Sequence, residues 1–432
     1  MGKARQIGSG GSGAVKNSIV EQFLAESETI DANTFVEFVN KTTVSGGVKV
    51  NKNNSLHCSC VKLDDNRVLQ LSAISGKLYA EIVKISNGTI EYGTTLQLTI
   101  AASTSAYCVQ AVKVTESTVF ALASMAQDYV QGIFLNIDNM TITQTSGQTL
   151  NLNIGNYYYF RILLFSQTKV LVQTSGGYLH LLTLTGTTVS ITSSLRYCAD
   201  TYKNAGGVVG ITKLSDSKVL ISYSRYYGYN TSYDFLAFSV VNVVSDSLEI
   251  AKTLETDIGT CGNDNAIDLG NGSLCMLMLR YEYSSSTYVP GYWGFVVRVV
   301  DNEIIIGSPV YIKSTKESYF LSLVPLDNNT FYISTYSYTK DGSNQLYVVP
   351  IRIIDGILIV GEPLNTTSLS TGSGFNSMVT FNDYVLAIYS TSTALFNTTG
   401  SIVKIKKSKS IIHGITKTKA TTSAKGKVCL LP

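Results

Sequence analysis

Short polar turns alternate with apolar, β-prone stretches along the chain, and seven of these junctions recur at nearly constant spacing. They centre on Val68, Val119, Val170, Val219, Leu274, Phe331 and Val385. The contexts read Asp-Asn-Arg-Val-Leu, Glu-Ser-Thr-Val-Phe, Gln-Thr-Lys-Val-Leu, Asp-Ser-Lys-Val-Leu, Asn-Gly-Ser-Leu-Cys, Asn-Asn-Thr-Phe-Tyr and Asn-Asp-Tyr-Val-Leu. Successive junctions lie 51, 51, 49, 55, 57 and 54 residues apart. A period in this range, carried by strands alone, is that of a propeller blade.

Each repeat divides into four short strands. In the second copy the pattern predicts strands over 107–114, 119–124, 132–137 and around 141–145, with a tight turn at Asp138-Asn139. The third-to-fourth hairpin recurs over 80–85 before Ser86-Asn87-Gly88, over 178–184 before Thr185-Gly186, and over 235–241. It recurs again over 295–300 before Asp301-Asn302 and over 346–354 before Asp355-Gly356. Asn-Gly, Asp-Asn and Asp-Gly supply the positive φ values that two-residue hairpins require. The expected architecture is all-β: a seven-bladed β-propeller of four-stranded antiparallel blades over 51–408.

The two ends extend beyond the repeats. Ser9-Gly10-Gly11-Ser12-Gly13 opens the N-terminal arm, 15–26 can form a short helix with Ile19, Val20, Phe23 and Leu24 on one side, and 34–39 reads as a strand. Residues 411–415 and 427–431 are strand-like. Either the ends complete one shared blade, or they pair as a separate small β unit. The second reading is preferred, with 1–50 as an arm and attachment strand and 409–432 as C-terminal attachment strands.

Composition narrows the classes. Apolar residues make up 44% and charged residues 15%, enough for a large core and too little for a solvated helical surface. A net charge of +3 argues against nucleic acid as the main partner. No apolar run has the form of a secretory leader or the length to span a bilayer, so a soluble chain made in a cytoplasm, without membrane insertion, is expected. The seven cysteines form no CxxC pair; Cys58 and Cys60 share a strand face without further ligands, and His57 points the other way. No metal and no cofactor is expected.

Catalytic signals are poor. His57, His180 and His413 stand in separate contexts, so no Ser-His-Asp set or histidine cage is indicated. His180, within an alternating strand, reads as structural. Acidic residues such as Asp64, Asp65, Asp216 and Asp301 sit in turns, where their side chains bond local backbone. Asp-box, Trp-Asp and kelch signatures are missing. Carboxylates converging from distant blades keep a carbohydrate-active enzyme as an alternative of another class. Asn-x-Ser/Thr sequons such as Asn87, Asn230, Asn365 and Asn397 carry little meaning without an export route.

The informative constellation is aromatic. Tyr226, Tyr227 and Tyr229 fall in the second-to-third strand connection of the fourth repeat. Tyr281, Tyr283, Tyr288, Tyr292 and Trp293 fall in or beside that connection in the fifth, and Tyr336 and Tyr338 in the sixth. Equivalent connections of a propeller emerge on one face. Together with Arg225, Arg280 and Glu282 these rings form a candidate face for a sugar or a peptide; the plainer alternative is that they cover strand ends. Lys404, Lys406, Lys407 and Lys409 read as a lysine-protected strand edge, or as a contact for an acidic partner.

Met-Gly-Lys-Ala followed by Ile-Gly-Ser-Gly-Gly-Ser-Gly-Ala resembles the opening of tail-fibre and baseplate proteins from phages of Gram-positive bacteria. The run Glu28-Thr-Ile-Asp-Ala-Asn-Thr-Phe-Val-Glu-Phe-Val39 resembles a segment repeated in such virion proteins. The ending from Gly414 resembles their closing motif at Gly414, Ile415, Thr418, Gly426, Val428 and Pro432, and departs from it at Lys425-Gly426 and in its lysine content. The resemblance covers only terminal residues. It implies that the ends form a small β module that mounts the protein on a virion, with Phe35, Val36, Phe38, Val39, Ile415, Val428 and Leu430 as attachment residues. The expected role is a non-enzymatic virion structural protein in several copies per particle. It would touch other virion proteins through its ends, and host cell-wall glycan through its exposed face, as a tail fibre or baseplate component; the alternative is a capsid decoration protein.

Overall fold

The computed structural model describes residues 20–25, 28–32, 35–41, 49–51, 57–74, 76–86, 89–100, 108–126, 129–154, 160–198, 205–226, 234–260, 265–269, 273–284, 287–314, 321–327, 330–338, 344–354, 357–360, 364–365, 377–381, 384–388, 392–397, 402–407, 414–416, 419–421 and 425–430. For parts of these, including 273–292 and 321–350, only the backbone is described. Among the described residues the chain divides into two units: 42–401, and the two ends, 1–41 with 402–432.

Among the described residues the larger unit holds seven antiparallel sheets of four strands, and a short fifth strand pairs with the third strand in three of them: Leu96–Gln97 in sheet 1, Val310–Ser314 in sheet 5 and Leu364–Asn365 in sheet 6. Sheet 1 runs His57–Lys62, Arg67–Ile74, Lys77–Ser86 and Thr89–Tyr92. Sheet 2 runs Cys108–Lys113, Thr118–Ala126, Tyr129–Asp138 and Thr141–Asn151. Sheet 3 runs Phe160–Ser166, Lys169–Thr174, Tyr178–Thr185 and Thr188–Arg196. Sheet 4 runs Ala205–Ser215, Lys218–Tyr226, Asp234–Val244 and Ser247–Thr260. Sheet 5 runs Asn265–Asp268, Ser273–Ser284, Thr287–Val300 and Glu303–Ile306. Sheet 6 runs Leu321–Asp327, Thr330–Tyr338, Asn344–Ile354 and Ile357–Val360. Sheet 7 runs Ser377–Phe381, Tyr384–Ile388 and Ser392–Asn397, and its fourth strand is Lys49–Asn51 from the other end of the chain.

The seven recurrent junction residues head the second strands, and where side chains are described burial there is continuous rather than alternating. Arg67–Ile74 and Lys169–Thr174 are buried along nearly their whole length, whereas the fourth strand Thr141–Asn151 is mostly exposed. Second strands are covered on both faces, because each side packs on a neighbouring sheet. Val119, Ala121 and Ala123 join Leu69, Leu71 and Ile82 of sheet 1. Phe120 and Leu122, on the opposite face, join Val170, Val172 and Leu182 of sheet 3. Leu171 turns towards Val219 and Ile221 of sheet 4, and Leu220 towards Phe295 and Val297 of sheet 5. Val68 and Val83 meet Val379 and Leu386 of sheet 7. The first strands lie beside one another in sheet order, and that of sheet 7 lies beside that of sheet 1. Each fully buried aliphatic side chain contributes about 1.5–3 kcal/mol, so these shared layers carry the stability.

Turn chemistry follows the sequence. Asp301 and Asn302 have φ of 51° and 68°, and Ser245 and Asp246 have 46° and 69°, the paired positive values of a type I′ hairpin. In sheet 2 the turn falls at Asn139-Met140, one residue later than the pattern indicates.

Cationic side chains fasten neighbouring sheets at the turn end. The first residue of a second strand reaches the third-to-fourth turn of the next sheet in three places. Arg67 Nη1 donates to the Asn139 carbonyl at 2.5 Å, Lys169 pairs with Asp246, and Lys218 Nζ donates to Asn302 Oδ1 at 2.7 Å. A second row comes from the ends of first strands. Lys113 Nζ donates to the Leu63 carbonyl of sheet 1 at 2.6 Å and to Glu116 at 2.7 Å. Lys213 Nζ donates to the Phe165 carbonyl of sheet 3 at 3.0 Å and pairs with Asp216 at 2.7 Å.

The terminal unit is a closed five-stranded barrel in the order Val20–Ala25, Ile402–Lys407, Phe35–Lys41, Gly414–Thr416, Gly426–Leu430. Val36, Ala25, Ile30 and Ala420 are fully buried. Three expectations change. The helix within 15–26 is instead the strand Val20–Ala25, because its apolar residues are paired on both sides, parallel to Ile402–Lys407 and antiparallel to Gly426–Leu430. The lysine-bearing strand Ile402–Lys407 is no edge, since Phe35–Lys41 pairs its other side; Lys409 lies outside the described residues. The boundaries at 50 and 408 shift, because Lys49–Asn51 belongs to sheet 7 and Ile402–Lys407 to the barrel.

Two outcomes test this packing. Gly210 sits where an added Cβ would stand 2.5 Å from the Ala266 Cβ of sheet 5. Gly210→Ala is therefore expected to cost about 1–3 kcal/mol, read as a lower urea midpoint with an unchanged slope. The triple variant Arg67→Met, Lys169→Met, Lys218→Met is expected to lose about 1–3 kcal/mol at low salt. That deficit should shrink in about 1 M NaCl, checked by thermal unfolding at both ionic strengths.

Candidate binding face

In a four-stranded antiparallel sheet the second and third strands join at the end where the first strand begins and the fourth finishes. The sequence-nominated aromatics fall at that end of three successive sheets. Arg225 and Tyr226 close the second strand of sheet 4, opposite Phe235 and Asp234; Tyr227 and Tyr229 lie outside the described residues. Tyr336 and Tyr338 close the second strand of sheet 6, opposite Leu346 and Asn344.

Sheet 5 differs in length. Its first strand pairs only from Asn265↔Leu277 to Asp268↔Leu274, but the second and third strands stay paired to Ser284↔Thr287. The stretch from Met278 to Ser284 therefore has no first-strand partner among the described residues and continues as a ribbon, three-stranded as far as Arg280 through Val310–Ser314 and two-stranded from Tyr281. Register sorts its residues by face. Tyr283↔Tyr288, Tyr281↔Pro290 and Leu279↔Tyr292 put Tyr281, Tyr283, Tyr288 and Tyr292 on one face. Arg280, Glu282 and Trp293 take the other, since Trp293 pairs with Met278. Trp293 is half-buried against Leu236, Phe238 and Phe295 in the layer between sheets 4 and 5. It belongs to the core rather than to the tyrosine face, because pleating reverses the direction of each successive residue.

Sheet 3 carries a further aromatic site at the same end that the sequence did not single out. Tyr178 and Arg196 are a cross-strand pair, with the guanidinium 5.8 Å from the ring centroid. Tyr178 also stacks on His180 at 5.7 Å and 14°. His180 is structural, as its strand context indicated. Its Nε2–H donates to the Leu152 carbonyl at 2.6 Å, and Nδ1 accepts from the Ser194 hydroxyl at 2.8 Å. The neutral ring is thus fully bonded, and burial pushes its pKa down to about 4.

The remaining titratable groups serve local structure. Asp64 Oδ1 accepts from the backbone N–H of Asn66 at 3.0 Å and of Arg67 at 2.9 Å, while Oδ2 takes Arg67 Nε at 2.7 Å. Burial pulls the Asp64 carboxyl up, but the bond with Arg67 and these backbone donors outweigh it and hold the group below its usual range. Lys213, bonded to Asp216, holds that exposed carboxyl low as well. The thiol of Cys108 is pushed up to about 11 by burial, which makes it inert at neutral pH. Among the described residues no group of three or more His, Cys, Asp or Glu stands close enough to hold a metal ion. No helix among them is long and apolar enough to cross a membrane.

The repeated four-stranded sheets, each sharing a core layer with its neighbour, define an all-β, propeller-type protein. Such a fold presents loops for binding or scaffolding. Neither a protein-family model nor a curated protein sequence matches the chain. Solved structures similar to it are propeller-type. The WD40 domain of coronin from Toxoplasma gondii is 7% identical, with 90% of this chain and 91% of that one covered at a TM-score of 0.47. The WD40 domain of SCAP from fission yeast is 10% identical, with 83% and 98% covered at 0.45. An α-L-arabinanase from Penicillium chrysogenum, solved with arabinobiose, is 11% identical, with 83% and 100% covered at 0.43.

The His180 site predicts an acid limit. The unfolded chain binds a proton near pH 6.5 and the folded chain only near 4, so stability is complete above the upper value and falls as pH drops through this window. The loss at the lower end is about 3 kcal/mol. His180→Gln, which keeps a donor for the Leu152 carbonyl, should flatten that slope in denaturation midpoints taken between the two pH values.

Proposed function

We propose that this protein is a non-enzymatic virion component, a tail-fibre or baseplate element of a phage or phage-tail-like particle. Its propeller is displayed from the terminal barrel to contact host cell-wall glycan. The observation that carries the reading is topological. Strands from both terminal segments pair in one closed barrel, and the propeller is a single insertion between Phe35–Lys41 and Ile402–Lys407. This division leaves one unit for mounting and one for contact. The terminal resemblance to virion proteins names the kind of body on which such a barrel is mounted. Phe35, Phe38, Val39, Ile415, Val428 and Leu430 lie on barrel strands; Val36, being fully buried, supports the barrel from inside.

The tyrosine face of the sheet 5 ribbon supports the contact role. Four tyrosines on one ribbon face offer flat rings with hydroxyl groups and no charge, which suits a neutral sugar. Capsid decoration is the second reading, supported by the same barrel topology, and location separates the two.

Immunogold labelling of intact particles from producing cells should mark the tail or its baseplate. Label on the head supports decoration instead, and particles without label remove the virion reading. Separately, Tyr281→Ala with Tyr283→Ala should weaken retention on purified host cell wall by about tenfold or more. Unchanged retention removes the ribbon as the contact.

A further inference from the structure

Sheet 7 receives its fourth strand differently from the other sheets. In sheets 1 to 6 a connection of two residues joins the third strand to the fourth, as between Asp138 and Thr141 or Val300 and Glu303. In sheet 7 the third strand, Ser392–Asn397, and the fourth, Lys49–Asn51, come from opposite ends of the chain, and no turn can hold them together.

Their register supplies the missing constraint. In sheet 7 the pairs are Lys49↔Ala394, Val50↔Thr393 and Asn51↔Ser392. In the barrel the ladder between Phe35–Lys41 and Ile402–Lys407 runs from Val36↔Lys407 to Lys41↔Ile402. Going from Lys41↔Ile402 to Lys49↔Ala394 moves eight residues forward on one strand and eight back on the other. The two ladders therefore keep one antiparallel register, with equal numbers of residues between them on the two strands.

We propose that the terminal barrel is the clasp of the propeller. Its Phe35–Lys41/Ile402–Lys407 ladder holds the two chain ends of sheet 7 together and sets their register, as a two-residue turn does in the other sheets. A strand of three residues makes few hydrogen bonds, each of small net worth, to set against the entropy of bringing two distant chain segments together. Pairing in the barrel removes most of that cost before sheet 7 closes. A partner that grips the barrel thereby also secures the last sheet against the first.

Hydrogen exchange on the full-length chain tests this. One alanine inserted between Gly46 and Gly47 breaks the equal spacing. It should speed exchange at Ser392–Asn397 and Lys49–Asn51 by about tenfold or more, while Thr118–Ala126 and Lys169–Thr174 keep their protection. Adding a second alanine between Thr399 and Gly400 restores equal spacing and should return wild-type rates. Wild-type protection of Ser392–Asn397 in the single insertion, or identical exchange in the single and double insertions, overturns the clasp. If the single insertion fails to fold, Val36→Ala in the otherwise unaltered chain decides. Faster exchange at Ser392–Asn397 than at Lys169–Thr174 supports the clasp, and equal acceleration at both refutes it.

Discussion

Sheets 1 to 4 of the larger unit each have two apolar faces, and each face is buried because another sheet lies on it. Phe120 and Ala121 are adjacent in sequence, yet one packs with sheet 3 and the other with sheet 1. No sheet is stable by itself under this arrangement, since a lone sheet exposes the apolar side chains of its second and third strands to water. The stability of each repeat is thus held jointly with its neighbours. The pairing of Val68 and Val83 with Val379 and Leu386 extends this sharing from the last sheet to the first.

Polar groups are fitted into this scheme without interrupting it. His180, nearly inaccessible to solvent, keeps both ring nitrogens bonded and therefore stays neutral. Gln173 reaches across to the Ser222 carbonyl of the next sheet at 2.9 Å, a buried bond between sheets rather than within one. At the turn end, lysine and arginine side chains span neighbouring sheets where water still reaches them, so they contribute little singly and act mainly by fixing the stacking order. At the opposite end sheet 5 extends past its own first strand, and the tyrosines of its second and third strands gather there.

Much of this was legible in the chain. Val68, Val119, Val170 and Val219 mark the second strands because a doubly covered strand needs an unbroken apolar run after a turn, and that pattern survives in composition alone. Asp301-Asn302 announces its hairpin because few residues accept positive φ. The helix within 15–26 was misread because a short segment with Val20, Phe23 and Leu24 fits either period, and only its two strand partners decide. The division of the aromatics was also hidden. Trp293 and Tyr292 are neighbours in sequence, but register puts them on opposite faces, one in a core layer and one on the ribbon.

The amino-acid pattern by itself determined the strand-only repeat, its period and the turns that bound it, since these follow from side-chain preferences over a few residues. The pairing of the two ends was expected from the chain, but tertiary structure alone decided that Lys49–Asn51 leaves the N-terminal segment to complete sheet 7, and that the paired ends form a closed five-stranded barrel. Such pairings join residues hundreds of positions apart. Nothing local encodes them; they are selected because unpaired strand edges and apolar faces find their complements only when the whole chain is assembled.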